Sequence, residues 1–377
     1  MKSRVVILGA GFAGLELATS LSEALGDGVD VTIIDKSDAF VFGFAKLDVL
    51  FGREVPAAVR LPYRDFTKAG VTLRRETVTA IDAPRRHVTT DAGEYDADVL
   101  VIALGADYDV SETPGITLGK NEFYSFAGAK HMRGVVSKLT KGHAVIGVCA
   151  APFKCPPAPS ECALMLHDHL RERGVRDDCH ITLVLPLPIP VPPSPEMSQA
   201  LLAEFAAKKI DFVPGRRVAS VDESRRVVTL DDGRELPCDL FLGVPRNRAP
   251  DVVVATGLTE NGWVKIDPRT LETSVPNVYA LGDVANTGAP KAGVFAENAA
   301  RVVAANIVSR LRGEEATAKN PGAGSCYLEF GEGRIARVDV DFFSGPKPTG
   351  KYYEPSETLR ADKVAFGATR RARWFGR

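Results

Sequence analysis

The chain opens with an apolar run, a glycine-rich turn and a helix-forming stretch, "RVVILGAGFAGLELATSLSEA". The glycines of a GxGxxG pattern fall at Gly9, Gly11 and Gly14, and a second apolar run ends on Asp35. Glycines at this spacing let the backbone approach a pyrophosphate at the amino end of a helix. The later carboxylate can accept a hydrogen bond from a ribose hydroxyl. This order of strand, turn, helix, strand and acid predicts a dinucleotide-binding α/β fold.

Length, charge and residue spacing exclude several classes of protein. The 377 residues are enough for two sizeable cores, and a formal net charge of -1 gives no reason to expect a nucleic acid partner. No stretch approaches the roughly 20 apolar residues that span a bilayer, and no signal peptide is visible. We therefore expect a cytoplasmic protein or one peripheral to the cell membrane. The cysteines lack CxxC pairs and the histidines lack metal-ligand spacing, so we expect no metal site.

Two later stretches extend the dinucleotide-binding pattern. "YDADVLVIALGADYD" reads as a buried strand that runs into a glycine turn, and "ETSVPNVYALGDVAN" as a strand that ends at Gly282 and Asp283. Both resemble signatures of flavoproteins with two dinucleotide domains, in which the second aspartate meets the ribityl chain of FAD. The resemblance implies two Rossmann-like domains of the disulfide-reductase type. The FAD-binding domain would be discontinuous, with residues 1–112 and 246–312.

The middle block, residues 113–245, repeats the strand and helix rhythm without the glycine fingerprint. "HAVIGVCA" predicts a strand and "SECALMLHDHLRERG" a helix, with Ser160 as N-cap and Gly174 as stop signal. Three prolines lie within residues 156–159, and proline lacks the backbone N–H that a phosphate cradle needs. The later loop "PLPIPVPPSPEMS" offers no acidic partner for a ribose. We expect a second Rossmann-like domain with a degenerate NAD site.

A segment in this block resembles a known redox site. "FKCPPAPSE", with Cys155 and Glu161, is similar to the segment around a redox-active cysteine in sulfide:quinone oxidoreductases and the flavin subunits of flavocytochrome c sulfide dehydrogenases. The second active cysteine of that family lies late in the chain. Here "GAGSCYLEFGEG" supplies Cys326, in what we expect to be a glycine-rich loop. "PKAGVFAENAARVVAANI" resembles the helix beneath the flavin that these enzymes share with type-two NADH:quinone oxidoreductases, which implies that Lys291 lies near the isoalloxazine.

The resemblance implies that hydrosulfide attacks a disulfide between Cys155 and Cys326, leaving one persulfide and one thiolate. Electrons then pass through FAD to an acceptor. Lys291 would stabilise negative charge on the flavin or simply be a solvated lysine. Glu161 would move a proton or be an ordinary surface acid at a helix start. The sequence leaves open which cysteine carries the sulfane sulfur. The other cysteines are expected to be buried hydrophobes, namely Cys149, Cys162, Cys179 and Cys238.

Several features bear on the electron acceptor and the alternatives. The early stretch "SDAFVFGFAKLDVLFG" has no cysteine to which FAD could be attached, so we expect noncovalent FAD. Quinone is then the favoured acceptor and a cytochrome c-type protein the alternative. A type-two NADH:quinone oxidoreductase is a second candidate function. A flavin-binding redox sensor regulated by a partner is a third. The oligomeric state stays open.

The C-terminal region, residues 313–377, holds the second redox cysteine and ends in a basic and aromatic tail. Arginines surround two large aromatic residues in "ATRRARWFGR", namely Arg370, Arg371, Arg373 and Arg377 around Trp374 and Phe375. This mixture suits anionic headgroups and the membrane interface. The same residues would also fit a frayed terminus or a tail folded back on the protein.

Overall fold

The computed structural model describes residues 2–377, and its first sheet is parallel. Its spatial strand order is Val278–Ala280, Val99–Ile102, Ser3–Leu8, Val29–Asp35 and Val71–Arg75. The central strands are continuous apolar runs because helices and loops cover both faces of the sheet. Helix Phe12–Leu25 packs against helix Gly293–Leu311. The sheet therefore draws strands from both segments of the predicted FAD domain.

The second sheet lies within the middle block and is also parallel. Its strand order is Ile210–Pro214, Cys179–Leu185, Gly142–Val148 and Leu240–Val244, with helices Ala158–Glu172 and Pro195–Ala207. The chain passes between the two sheets twice, through the short strands Asp107–Asp109 and Arg246–Arg248. These two strands pair with each other in antiparallel orientation. This pairing supports domain limits near residues 112 and 246, which stay a prediction.

Short elements fill the connections. Three further α-helices in these connections are Ala45–Leu50, Phe126–Val136 and Asp251–Val254. Four small antiparallel sheets consist of Ala39–Val41 with Arg60–Pro62; Val78–Asp82 with His87–Thr90 and Glu94–Asp96; Val218–Asp222 with Val227–Leu230 and Glu235–Pro237; and Thr259–Glu260 with Trp263–Val264. Within residues 2–377, no helix has both the length and the apolar character that crossing a membrane requires.

A third sheet, antiparallel, forms the start of the C-terminal region. Its strands are Ala323–Glu329, Ile335–Asp341 and Thr349–Tyr353. The prediction that Cys326 lies in a loop is therefore wrong, because Cys326 pairs with Val338 inside the sheet. The difference arises from the next segment, "IARVDVD", in which buried and partly exposed residues alternate as in a strand with one face on the core. This strand pairs with the segment that contains Cys326.

The chain ends in helix Glu357–Phe375, which folds back on the first sheet's helices. Trp374 is fully buried, and its ring packs edge-on against the rings of Phe12 and Phe40. Its indole N–H donates to the Glu16 carboxylate at 2.8 Å, and the Arg373 guanidinium pairs with the same carboxylate. The tail is thus folded back on the protein, and its two large aromatic side chains do not form a membrane anchor in this structure.

Candidate active site

Most predicted site residues converge on one cavity of about 360 Å³ between the first sheet and the middle block. Its wall includes six of the predicted site residues, namely Gly11, Cys155, Glu161, Gly282, Asp283 and Lys291. We call it the lysine cavity, because its wall also contains three lysines, Lys46, Lys154 and Lys291. This volume lies in the range of ligand-binding pockets.

The three glycines of the first turn differ in what an added side chain would contact. Gly9 has a φ of +104°, and a Cβ there would lie 2.4 Å from the carbonyl oxygen of Ala103. A Cβ on Gly14 would lie 1.9 Å from the carbonyl oxygen of Gly9. A Cβ on Gly11 would meet no atom within 4 Å, and it would project at the amino end of helix Phe12–Leu25. The open space beside Gly11 and the helix dipole would suit a ligand's phosphates, and this role stays a prediction.

Asp35 supports this turn directly. Its carboxylate accepts the N–H of Ala10 at 2.7 Å and the N–H of Ser37 at 2.7 Å. A carboxylate has about four acceptor positions, so two remain for a ribose hydroxyl. Asp35 is not part of the lysine cavity wall, and its role toward a ribose stays a prediction.

Lys291 lies beside Gly282 and Asp283 in the cavity wall, and its position near an isoalloxazine stays a prediction. Its Nζ donates to the main-chain oxygen of Asp283 at 2.6 Å and sits 3.3 Å from the centroid of the Trp263 ring. Burial lowers the pKa of Lys291 to about 8, although the charge of Asp283 opposes this shift. Lys291 is therefore a half-buried cation in the cavity wall, and the solvated-lysine alternative is wrong.

Sequence reasoning missed the other two lysines of the cavity. Lys46 Nζ donates to the main-chain oxygen of Tyr124 at 2.6 Å, and Lys154 Nζ donates to that of Ala106 at 2.7 Å. Across residues 2–377, none of the three cavity lysines forms a salt bridge with a carboxylate. Burial lowers both pKa values, that of Lys46 to about 8. Lys154 adjoins Cys155 in the sequence, whereas no motif signals Lys46.

Cys155 opens into the lysine cavity from the turn before helix Ala158–Glu172. Its backbone has a φ of +47°, and its N–H donates to the main-chain oxygen of Lys291 at 2.8 Å. The predicted N-cap Ser160 is wrong, because the helix begins two residues earlier behind Pro157. The proline fixes φ near the helical value and needs no N–H partner at a helix start. This turn presents a thiol where a nucleotide site would present amides.

Cys326 opens into a second cavity of about 440 Å³, which we call the proline cavity. Its wall is almost entirely apolar and comprises Pro156, Pro157, Leu187, Pro190, Val191, Pro192, Pro193, Pro290, Ala292, Phe295, Cys326, Val338, Val340, Phe342, Lys347 and Pro348. Ala292 belongs to both cavity walls, and the two prolines that follow Cys155 line this one. The two cysteines thus lie on either side of a shared wall.

Both cysteines carry free thiols, and the pKa of each is raised. Burial raises the pKa of Cys326 to about 12. Cys155 is exposed toward the cavity, yet surrounding protein atoms desolvate its thiolate and raise its pKa, and the charges of Glu161 and Cys326 raise it further. The structure therefore brings Cys155, Cys326 and Glu161 within electrostatic range. A disulfide between the cysteines stays a prediction.

Glu161 is buried, at 4% exposure, so the surface-acid alternative is wrong. Its Oε1 accepts the main-chain N–H of Glu329 at 3.1 Å. Burial raises the pKa of Glu161 to about 7, while the cation of Lys363 opposes the shift. A carboxyl group with this pKa exchanges its proton near neutrality.

The four other cysteines are buried, as expected, and line neither cavity.

The residues present fit FAD. The room beside Gly11 suits phosphates, and lysines without carboxylate partners suit a group that becomes negatively charged.

Residues 3–305 match the family model described as pyridine nucleotide-disulphide oxidoreductase. The sulfide-quinone reductase of Aquifex aeolicus is 26% identical over 382 residues, covering 91% of this chain and 83% of that protein.

Two further comparisons agree on the fold. An NADH dehydrogenase-like protein of Mycobacterium tuberculosis is 28% identical over 303 residues, covering 75% of this chain and 73% of that protein. The crystal structure of the Aquifex aeolicus sulfide:quinone oxidoreductase aligns with a TM-score of 0.82 at 22% identity, covering 97% of this chain and 89% of that chain. The predicted fold class and FAD are confirmed. The chain belongs to the pyridine nucleotide-disulphide oxidoreductase family and is an FAD-dependent oxidoreductase.

Proposed function

We propose that this protein oxidises sulfide to sulfane sulfur or polysulfide through Cys155 and Cys326, and passes the electrons through FAD to a quinone. The observation that carries the proposal is the placement of the cysteines on two adjoining cavities, one lined by lysines and one by prolines. The similarity to a protein named sulfide-quinone reductase supports it.

The chain's own residues would hold FAD in the lysine cavity. The turn around Gly11 would bind the diphosphate, Asp35 a ribose hydroxyl and Asp283 the ribityl chain. Lys291 would place a positive charge beside the ring system. FAD, when bound, accepts two electrons and delivers them to an acceptor. The cavity contains no cysteine besides Cys155, which is consistent with noncovalent binding.

The geometry favours attack of hydrosulfide on the sulfur of Cys326. A new S–S bond then joins the sulfide sulfur to Cys326, the disulfide bond breaks, and Cys155 leaves as a thiolate carrying the electron pair. The sulfide sulfur is oxidised and the disulfide is reduced. A neutral sulfane chain suits the apolar proline cavity, whereas a thiolate is less costly beside cations.

Glu161 would move a proton to or from the Cys155 sulfur, because both groups line the lysine cavity. Its carboxyl lines the lysine cavity with Cys155 and has a pKa of about 7, so both protonation states are accessible at neutral pH. The hydrogen bond from the N–H of Glu329 holds this carboxyl in place. Glu161 therefore combines a fixed position with a pKa suited to proton exchange.

A type-two NADH:quinone oxidoreductase remains the second candidate, favoured by the similarity to the Mycobacterium tuberculosis protein. The second turn opposes it, because three prolines between Pro156 and Pro159 remove backbone N–H groups. A Cβ on Gly147 would collide with the side chains of Val218 and Phe241 at 2.6 and 2.7 Å. Gly147 thus serves internal packing and does not make room for a phosphate.

Quinone is the proposed acceptor because the similarity to the sulfide-quinone reductase of Aquifex aeolicus favours it. A cytochrome c-type protein is the alternative. Contact with a membrane that contains quinone would need a surface other than the side chains of Trp374 and Phe375, since both are buried.

Steady-state assays with the FAD-loaded protein separate these functions. Sulfide and NADH are compared as donors, and a water-soluble quinone and cytochrome c as acceptors. We expect sulfide-dependent quinone reduction. Reduction driven by NADH alone would favour the second candidate, and reduction of cytochrome c alone would change the acceptor. Binding of a partner that follows the redox state of Cys155, without turnover, would favour a redox sensor.

A further inference from the structure

Lys46 reaches the same cavity as Cys155 from a different part of the chain. It lies in helix Ala45–Leu50 and donates to the main-chain oxygen of Tyr124. The Tyr124 hydroxyl in turn donates to the main-chain oxygen of Cys155 at 3.3 Å. One residue therefore links the lysine to the cysteine turn, and both side chains line the lysine cavity.

Within residues 2–377, Lys46 forms no salt bridge with a carboxylate, although the charges of Glu122 and Asp283 favour its protonated form. The charged or titratable groups that face it are Lys154, Glu122, Cys155 and Asp283. The Glu122 carboxylate already accepts from the N–H groups of Gly119, Tyr124 and Ser125. A half-buried charge that has no salt-bridge partner is incompletely neutralised, so an anion that forms nearby is stabilised.

We propose that Lys46 is a positioning residue that stabilises the thiolate of Cys155 by its charge. This rests on the proposed function, in which Cys155 is the leaving thiolate of the disulfide. Because burial disfavours that thiolate, the nearest cations decide how readily it forms. Lys46 thereby directs the break of the disulfide so that the negative charge falls on Cys155 and the added sulfur stays on Cys326.

A purely structural role for Lys46 makes a different prediction. If only the hydrogen bond to Tyr124 mattered, Lys46→Gln would keep a donor and behave nearly like the wild type. If the charge matters, Lys46→Gln should impair thiolate formation and Lys46→Arg should preserve it. Lys265→Gln is the matched control, since that lysine side chain is 68% exposed and pairs with Glu260 on the surface.

The test measures the rate at which iodoacetamide alkylates Cys155 in FAD-loaded Cys326→Ser protein, from pH 6 to 10. At a fixed pH, Lys46→Gln should slow alkylation about 10-fold and shift the profile upward by about one pH unit, a lower-end effect of a nearby opposite charge. Lys46→Arg should stay within about 2-fold of the parent below pH 8. Lys265→Gln should change nothing.

Equal profiles for the parent and Lys46→Gln would overturn the proposal, and so would equal slowing by the Gln and Arg variants. If Lys46→Gln failed to hold FAD, Lys46→Arg would decide. In the parent, loss of the Lys46 proton near pH 8 should change the reactivity of Cys155, and the permanent charge of arginine should remove that change. A pH profile of Lys46→Arg identical to that of the parent would overturn the proposal. Alkylation needs no sulfide, so failure of sulfide oxidation in the wild type would contradict only the proposed function.

Discussion

The two strand–turn–helix units of the molecule share a topology and differ in what their turns present. The first turn is closed by Gly9 and Gly14 and leaves room at Gly11. The second turn is stiffened by prolines and presents the thiol of Cys155. Backbone amides bind phosphate, whereas a thiol exchanges with other sulfur atoms. The two turns show that a few residues at a helix start decide whether one scaffold presents backbone amides or a thiol.

The helices after the two turns also bury a glutamate each, with opposite electrostatic results. Glu16 is fully buried but pairs with Arg301 and Arg373, and those hydrogen bonds lower its pKa despite the desolvation. Glu161 is buried without a salt bridge, and its pKa rises to about 7. A compensated acid stabilises the fold, while an uncompensated one is suited to proton transfer.

The largest expected effect comes from removing the sulfur chemistry of the second turn. Either Cys155→Ser or Cys326→Ser should lower sulfide-driven flavin reduction at least about 100-fold, and the double variant should lose little more, because residues acting as one unit fail together. Stopped-flow absorbance under anaerobic conditions measures this. FAD content should be retained, and Cys179→Ser serves as control. Full activity in both single variants would exclude the pair.

The next effect contrasts the two possible donors. NADH should reduce the wild-type flavin at least about 100-fold more slowly than sulfide, because the second turn lacks the amides of a phosphate cradle. The same stopped-flow instrument gives both rates. Rapid bleaching of the flavin by NADH would show that this turn still serves a nicotinamide.

The third effect tests the first turn. Gly11→Val should lower FAD affinity about 10-fold or more by filling the space meant for phosphate, while the fold persists because its Cβ meets no atom within 4 Å. Gly14→Val is the contrasting variant, since its Cβ collides with the Gly9 carbonyl and should destabilise the protein itself. Equilibrium dialysis and thermal unfolding separate the two outcomes. Unchanged FAD binding by Gly11→Val would contradict the assignment.

The smallest effect concerns Glu161. Its replacement by Gln should slow sulfide-driven flavin reduction about 10-fold and abolish an ionisation near pH 7, after correction for the ionisation of sulfide itself. The pKa is higher in the folded than in the unfolded protein, so stability should fall as pH rises from about 4.5 to about 7. Urea unfolding of the wild type and Glu161→Gln across that window checks the sign. Identical pH profiles would remove Glu161 from the proton path.

Local sequence patterns predicted the parts of the molecule that depend on local chemistry. The glycine fingerprint predicted the first turn. The segment "FKCPPAPSE" pointed to Cys155 and Glu161, which line the same cavity in the structure. Lys46 had no signal, because its partner Tyr124 is 78 residues away. The Ser160 cap failed because a general N-cap preference competed with prolines that already fix the helix start.

The tail shows a second reason for incomplete prediction. Aromatic and basic residues around Trp374 fit a membrane interface and a buried ionic contact equally well. The deciding partner, Glu16, lies 358 residues away and reads as an ordinary helix residue. Likewise, the glycines around Cys326 predicted a loop, whereas Ala323–Glu329 is a strand that pairs with the next strand, Ile335–Asp341.

The most direct test of the central claim is mass spectrometry of the FAD-loaded, oxidised protein after anaerobic addition of one equivalent of sulfide and alkylation of free thiols. The proposed function predicts one added sulfur on the Cys326 peptide, an alkylated Cys155, and loss of a Cys155–Cys326 disulfide in proportion to the flavin reduced. Reduction of the flavin with no added sulfur on either cysteine, and with no disulfide present beforehand, would contradict it.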